Sequence, residues 1–228
     1  MHYKNLTIIG TSHIAKQSLE EVEKTIEEQK PELIAIELDK KRYFSLISNV
    51  KRKIRLSDIS RIGLKGYLFN IIGAWVEKKL GNIVGVEPGA EMKKAISLAK
   101  KNNAKIALID QDIEITLSRI SKEFTWKEKF RVAVDILKGI FFKKSELKKM
   151  GIKELDLTKV PSQELINKLI KQVKKRYPNF YKVLIEERNQ VMAKNLVNLM
   201  NHNPEKKIVA IIGAGHAEEM IKLIKKDL

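Results

Sequence analysis

No cysteine occurs anywhere in the 228 residues. That excludes disulfides, thiolate metal sites and a cysteine nucleophile, and it fits a reducing compartment. Only four histidines are present, His2, His13, His202 and His216, so any imidazole chemistry must draw on this set. Aromatic residues are sparse at 6%. No apolar run reaches the ~20 residues needed to cross a bilayer. The longest candidate, Gly66 to Val76, suits a packed helix. Met1 to Lys4 is polar and the apolar run Leu6 to Ile9 is too short for the core of a signal peptide. A Walker A loop, a Gly-x-Ser-x-Gly elbow, zinc-finger spacing, an RNA-recognition signature, low-complexity tracts and short-period repeats are all missing. "IIGAGHAEE" (Ile211 to Glu219) begins like a dinucleotide fingerprint, but Glu218 stands where a small residue is needed.

Positive charge is abundant: 45 Lys+Arg against 28 Asp+Glu give a formal charge of +17. The basic residues are spread over many helices, with local clusters at Lys51 to Arg55 and Lys171 to Arg176. This distribution reads as lysine-coated solvated helices more than as a nucleic-acid footprint. Nucleic acid is therefore a disfavoured partner. Hydrophobic residues make up 43%, enough for a sizeable core.

Five apolar runs lack polar alternation and predict buried parallel strands: Leu6 to Gly10, Leu33 to Leu38, Ile83 to Glu87, Lys105 to Asp110 and Lys207 to Gly213. Helical spacing follows, notably over Ser18 to Gln29, Ala90 to Lys101 and His216 to Lys226. The expected fold is α/β, a mostly parallel sheet flanked by helices. One domain over residues 1–228 is expected, with helical insertions at about 56–80 and 121–203. Gly66 to Leu80 and Thr125 to Phe142 carry more aromatic surface than a solvated helix tolerates. They are expected to cap the sheet rim or form a symmetric interface, burying Trp75 and Trp126, so a homodimer is one expected assembly.

Ligands of open parallel sheets bind beyond the carboxyl ends of the strands. There the sequence places His13 after the first strand, Glu37 and Asp39 at the second, Glu87 and Glu91 after the third, Asp110 and Asp112 at the fourth, and His216 after the last. Both His13 and His216 stand in Ile-Ile-Gly-x-x-His, where glycine is expected to turn with positive φ and aim the histidine at the rim. Each residue also has a plainer reading. Glu37 could serve a salt bridge to Arg42, Asp110 and Asp112 could cap the helix entered at Ile113, and Glu91 could answer a helix dipole. His2 and His202 lack the rim setting and read as surface residues.

The segments "GTSH" (Gly10 to His13), "IELDKKR" (Ile36 to Arg42), "GVEPGAEMKKAI" (Gly85 to Ile96), "LIDQDIEITLSR" (Leu108 to Arg119), "EERN" (Glu186 to Asn189) and "GAGH" (Gly213 to His216) resemble, in order, the TraB/PrgY/GumN family, which includes the Tiki proteins. Gln111 stands where that family usually has Arg. The resemblance implies a fold like that of the erythromycin-esterase and ChaN families. It implies a site of His13, Glu37, Arg188 and His216. It also implies metal-dependent peptidase activity on peptide or small-molecule substrates, with a divalent ion (Mn, Co, Fe or Zn) bound by His13 and His216 and with Glu37 as third ligand or as catalytic general base. Arg188 would then steady an oxyanion or a substrate carboxylate. Two alternatives stay open: a metal-independent esterase-like hydrolase, and a non-catalytic module that binds peptide or haem. Archaeal members often continue into C-terminal membrane helices. The expected location is thus cytoplasmic, or a soluble domain tethered to a membrane by a segment not present here.

Overall fold

Five strands form one sheet in the computed structural model, which describes residues 1–11, 16–48, 56–64, 67, 71, 89–141 and 162–227. They are β1 (His2–Tyr3), β2 (Leu6–Thr11), β3 (Leu33–Ile36), β4 (Lys105–Leu108) and β5 (Ile208–Gly213). Their spatial order is β1-β2-β5-β3-β4. β1 runs antiparallel to β2, and every other pairing is parallel. The expected α/β architecture is the observed one. The expected strand over Ile83 to Glu87 lies outside the described residues, as does most of the insertion at about 56–80.

Nine helices among the described residues are named here: α1 (Lys16–Gln29), α2 (Lys40–Ile47), α3 (Ala90–Lys101), α4 (Ile113–Glu123), α5 (Trp126–Phe141), α6 (Gln163–Arg176), α7 (Pro178–Tyr181), α8 (Arg188–His202) and α9 (Ala214–Asp227). The sheet is covered on both faces, which explains its unalternating strands. On one face Ile9, Ile34, Ile36, Val209 and Ile211 meet Val22 and Ile26 of α1 and Met92, Ala95 and Leu98 of α3. On the other, Leu6, Ile8, Leu33, Ile208, Ala210 and Ile212 meet Met192 and Leu196 of α8 and Met220 and Ile224 of α9. Each fully buried aliphatic side chain contributes about 1.5–3 kcal/mol. β5, buried at every position, lies between β2 and β3 and holds the two faces together.

The helical stretch from Ser162 breaks where Pro178 predicts it: α6 ends at Arg176, and Tyr177, with φ −133° and ψ 64°, separates it from α7. Proline opens α7, where its missing N–H costs nothing. A widened π turn, Lys182–Glu187, then leads into α8. Within the single chain, α5 does not bury Trp126 as a cap over the rim would. Trp126 is 80% exposed and Phe130 72% exposed. The helix is fastened by its opposite side, through Glu128 to Asn179 and through Asp135 to Arg176 and Tyr177. Its polar residues carry the attachment, so its aromatic side faces out in the single chain. Trp75 lies outside the described residues.

Candidate functional site

β2 and β5 are neighbours, and Thr11 pairs with Gly213. The two Ile-Ile-Gly segments thus run side by side, offset by one residue, which is why matching sequences sit at opposite ends of the chain. The positive φ expected at their glycines is not adopted: among the described residues, glycine has positive φ only at Gly63 and Gly89. Gly10 is needed for a different reason. A Cβ there would meet Ala214 Cα at 3.2 Å and Ala217 Cβ at 3.3 Å, so glycine lets α9 lie close against β2. Ser12 to Ala15, and with them His13, lie outside the described residues.

Glu37 follows β3, whose Ile36 pairs with Ile211. Its backbone N–H donates to Ile211 O at 3.1 Å, and its Oε2 accepts from Gly213 N–H at 2.6 Å. The carboxylate thus folds over the end of the central strand. Its Oε1 accepts from Arg188 Nη2 and lies 3.6 Å from His216 Nε2. Glu37 and His216 are both buried. The plain expectation for Glu37, a pair with Arg42, is not what forms. Arg188 is the partner.

Arg188 opens α8 directly after the π turn. Its Nε donates to Asp110 Oδ1 at 3.0 Å and its Nη2 to Asp110 Oδ2 at 2.6 Å, while Nη1 donates to Leu184 O at 3.3 Å. These bonds and the one to Glu37 use four of the five guanidinium hydrogens. Burial works against the Arg188 charge, but Glu37 and Asp110 outweigh it and push the group well above its ordinary value. Asp110 also accepts from Arg42 Nη2 at 2.6 Å, and Arg42 Nε donates to Asp39 Oδ2 at 2.5 Å. For Arg42 too, burial opposes the charge, and Asp110 followed by Asp39 overcomes it.

A continuous, largely buried relay results, Asp39, Arg42, Asp110, Arg188, Glu37, His216, most open at the Arg42 side chain, which is 31% exposed. Three carboxylates against two guanidiniums leave it formally one negative charge in excess, inside a chain of +17. Asp39 does a second task. It caps α2, accepting from Lys41 N–H at 2.8 Å and Arg42 N–H at 3.1 Å, and it reaches Ile113 N–H of α4 at 3.3 Å. Asp112 is a helix cap as one reading expects, accepting from Glu114 N–H at 2.8 Å. Asp110 instead belongs to the relay. Glu91 lies buried in the first turn of α3. Glu87 lies outside the described residues.

Next along the relay, His216 Nδ1 lies 2.6 Å from Asn189 Oδ1. Asn189 is 1% exposed, and its Nδ2 is buried with no hydrogen-bond partner among the described residues. A buried donor left unmade costs about 1–3 kcal/mol. Sequence reasoning put Asp110 on the rim without a defined role and did not single out Asn189. Asp110 had a signal, since it ends an apolar strand as Glu37 does. Asn189 offered none beyond standing next to Arg188.

The relay therefore joins residues of four of the sequence motifs: Glu37, Asp39 and Arg42, then Asp110, then Arg188 and Asn189, and His216. A family model for the TraB/PrgY/gumN family matches residues 2–227. The chain belongs to the TraB/PrgY/gumN family. An uncharacterized protein of Methanocaldococcus jannaschii is 40% identical over 97% of this chain and 54% of its own length. TraB domain-containing proteins of human and mouse are 22% and 21% identical, each over 97% of this chain and 63% of their own length. This TraB chain thus spans between about half and two thirds of the relatives it matches. No helix among its described residues is long and apolar enough to cross a membrane.

The metal that the family resemblance implies can be tested against the donors in place. Among the described residues no group of three His, Asp or Glu side chains is arranged to hold an ion. Two donors are. His216 Nε2 and Glu37 Oε1, 3.6 Å apart, are spaced like neighbouring ligands of one ion, for which tetrahedral bonds of ~2.1 Å give about 3.4 Å. The relay's excess negative charge also favours a cation at this end. The third donor expected, His13, lies outside the described residues.

Proposed function

We propose that this TraB domain is a metal-dependent hydrolase of peptides. What supports the reading is one observation above the others: an imidazole nitrogen and a carboxylate oxygen lie 3.6 Å apart, both buried, beyond the carboxyl end of the central strand. His216, Glu37 and His13 would hold a divalent ion of the Mn, Co, Fe or Zn kind. When bound, that ion acidifies water and polarises a carbonyl. Glu37 acts as third ligand or as general base. As base, it takes a proton from water as the oxygen attacks the scissile carbonyl, then returns the proton to the departing amine. Gly213 N–H holds its Oε2 in place for this. Arg188 orients Glu37 through Nη2, and the second Nη1 hydrogen, which has no acceptor among the described residues, can reach a developing oxyanion.

A metal-independent reading has an observation of its own. Arg188 already compensates the Glu37 charge, which weakens Glu37 as a ligand and leaves His216 to activate water. Calorimetry with Mn²⁺ and Zn²⁺, joined to peptide-library cleavage, separates the two. The metal reading expects one ion per chain, at least tenfold weaker binding in His216→Ala and Glu37→Gln, and loss of cleavage in both. Unchanged affinity in both variants removes the ion. Stoichiometric peptide or haem capture without turnover replaces the hydrolase with a binding module.

A further inference from the structure

Asn189 stands out as a buried amide whose oxygen faces the site histidine and whose nitrogen has no partner among the described residues. An apolar residue of similar size would fill that place without leaving a donor unmade. What Asn189 supplies that such a residue lacks is Oδ1, an acceptor facing His216 Nδ1 at 2.6 Å. A neutral imidazole carries one hydrogen, and the bond made by one nitrogen decides the state of the other. The reverse arrangement, with the amide turned over, Nδ2 donating to Nδ1 and Nε2–H facing Glu37 Oε1 at 3.6 Å, exchanges one unmade amide group for the other and leaves Nε2 without a lone pair for a ligand or a proton.

We infer that Asn189 is the positioning residue of His216. By accepting the Nδ1 hydrogen it holds the ring in the Nδ1–H form and keeps the Nε2 lone pair on the side where Glu37 lies. The assignment rests on the reading of His216 as the ligating or reacting group, and it adds a device that this reading leaves unstated. It also accounts for the neighbouring placement of Arg188 and Asn189. Two successive residues at the start of α8 serve the two partners at the strand ends, Arg188 holding Glu37 and Asn189 holding His216.

The test is ¹⁵N NMR of histidine-labelled, metal-free protein, with the His216 signals identified by their loss in His216→Gln. The expected spectrum shows a protonated Nδ1 and an unprotonated Nε2. Asn189→Leu should release the ring into a mixture of both forms and weaken Mn²⁺ binding by 10–100-fold, as loss of an outer partner does. Its melting temperature should change little, because the unmade Nδ2 donor is gone while the buried His216 Nδ1–H loses its acceptor. Asn189→Asp keeps the acceptor and should restore the Nδ1–H form. A wild-type ring protonated on Nε2, or an unchanged ring in Asn189→Leu, overturns the inference, and the wild-type spectrum decides even where a variant does not fold. A locked Nδ1–H ring in a protein that takes up neither Mn²⁺ nor Zn²⁺ supports it while sinking the metal reading.

Discussion

Glu37 and Glu128 are buried to nearly the same degree, 4% and 2% exposed, and they are held in opposite ways. Glu128 takes neutral donors from two short stretches: Thr125 N–H at 3.2 Å, Thr125 Oγ1 at 3.1 Å, Asn179 N–H at 2.8 Å and Asn179 Nδ2 at 3.2 Å. It ties α5 to α7 and leads nowhere further. Glu37 takes a guanidinium from 151 residues away and a backbone N–H from 176 away, and it continues into a histidine. One carboxylate is a joint. The other is one link in a line of charge that ends at the strand rim. The difference shows that burial of a carboxylate does not itself mark a site. What marks one is a partner set that leaves a reactive atom facing another.

Removing the middle of the relay should have the largest effect. Arg188→Met leaves Glu37 and Asp110 buried with less compensation, and a loss of about 3–5 kcal/mol is expected in urea unfolding. A loss below ~1 kcal/mol would mean that the relay is not what balances these charges. Glu128→Gln should cost less, about 1–3 kcal/mol, because one acceptor survives and no charge is stranded. A cost equal to that of Arg188→Met would erase the contrast between joint and relay.

Acid sharpens the same contrast. Burial pushes the Glu128 carboxyl up, but hydrogen bonds from Asn179 and then Thr125 outweigh it and hold it below its ordinary value. A carboxyl lowered in the folded state stabilises the fold above its unfolded value of ~4.3, and that contribution fades as pH falls through the folded value. The stability gap between wild type and Glu128→Gln should therefore be flat near neutral pH and shrink below about pH 4.3. A gap that widens on acidification would contradict the assignment. The smallest effect belongs to a solvated pair. Lys24 and Glu28 stand 3.9 Å apart with side chains 74% and 64% exposed, and Lys24→Ala should leave the melting temperature unchanged in a thermal scan.

Much of the fold was legible because strand burial leaves a pattern in the residues themselves. "LTIIG", "LIAIEL" and "KIVAIIG" are apolar without alternation because both faces of the sheet are covered, and helical spacing elsewhere along the chain marks α1, α3 and α9. The strand-end rule then put Glu37 and His216 on one rim, and the structure brings them together. The exposed Trp126 was not legible, since composition says that a helix is aromatic but not which side another element will fasten. The glycine at Gly10 was misread for a similar reason: its need comes from α9 passing overhead, a contact between residues far apart in the chain.

By itself, the sequence determined the layers, the family and the residue types available for chemistry, because periodicity and local motifs are written along the chain. Which charge meets which was decided only in three dimensions. "EERN" sits within a helix, where charges ordinarily face water. Insertion of β5 between β2 and β3 and the π turn before α8 instead bring Arg188 and Asn189 to the strand ends. Glu37 chose Arg188 over the nearby Arg42 because Asp39 and Asp110 claim Arg42 once α2 is capped. Such choices depend on distances across the fold, and spacing along the chain does not encode them.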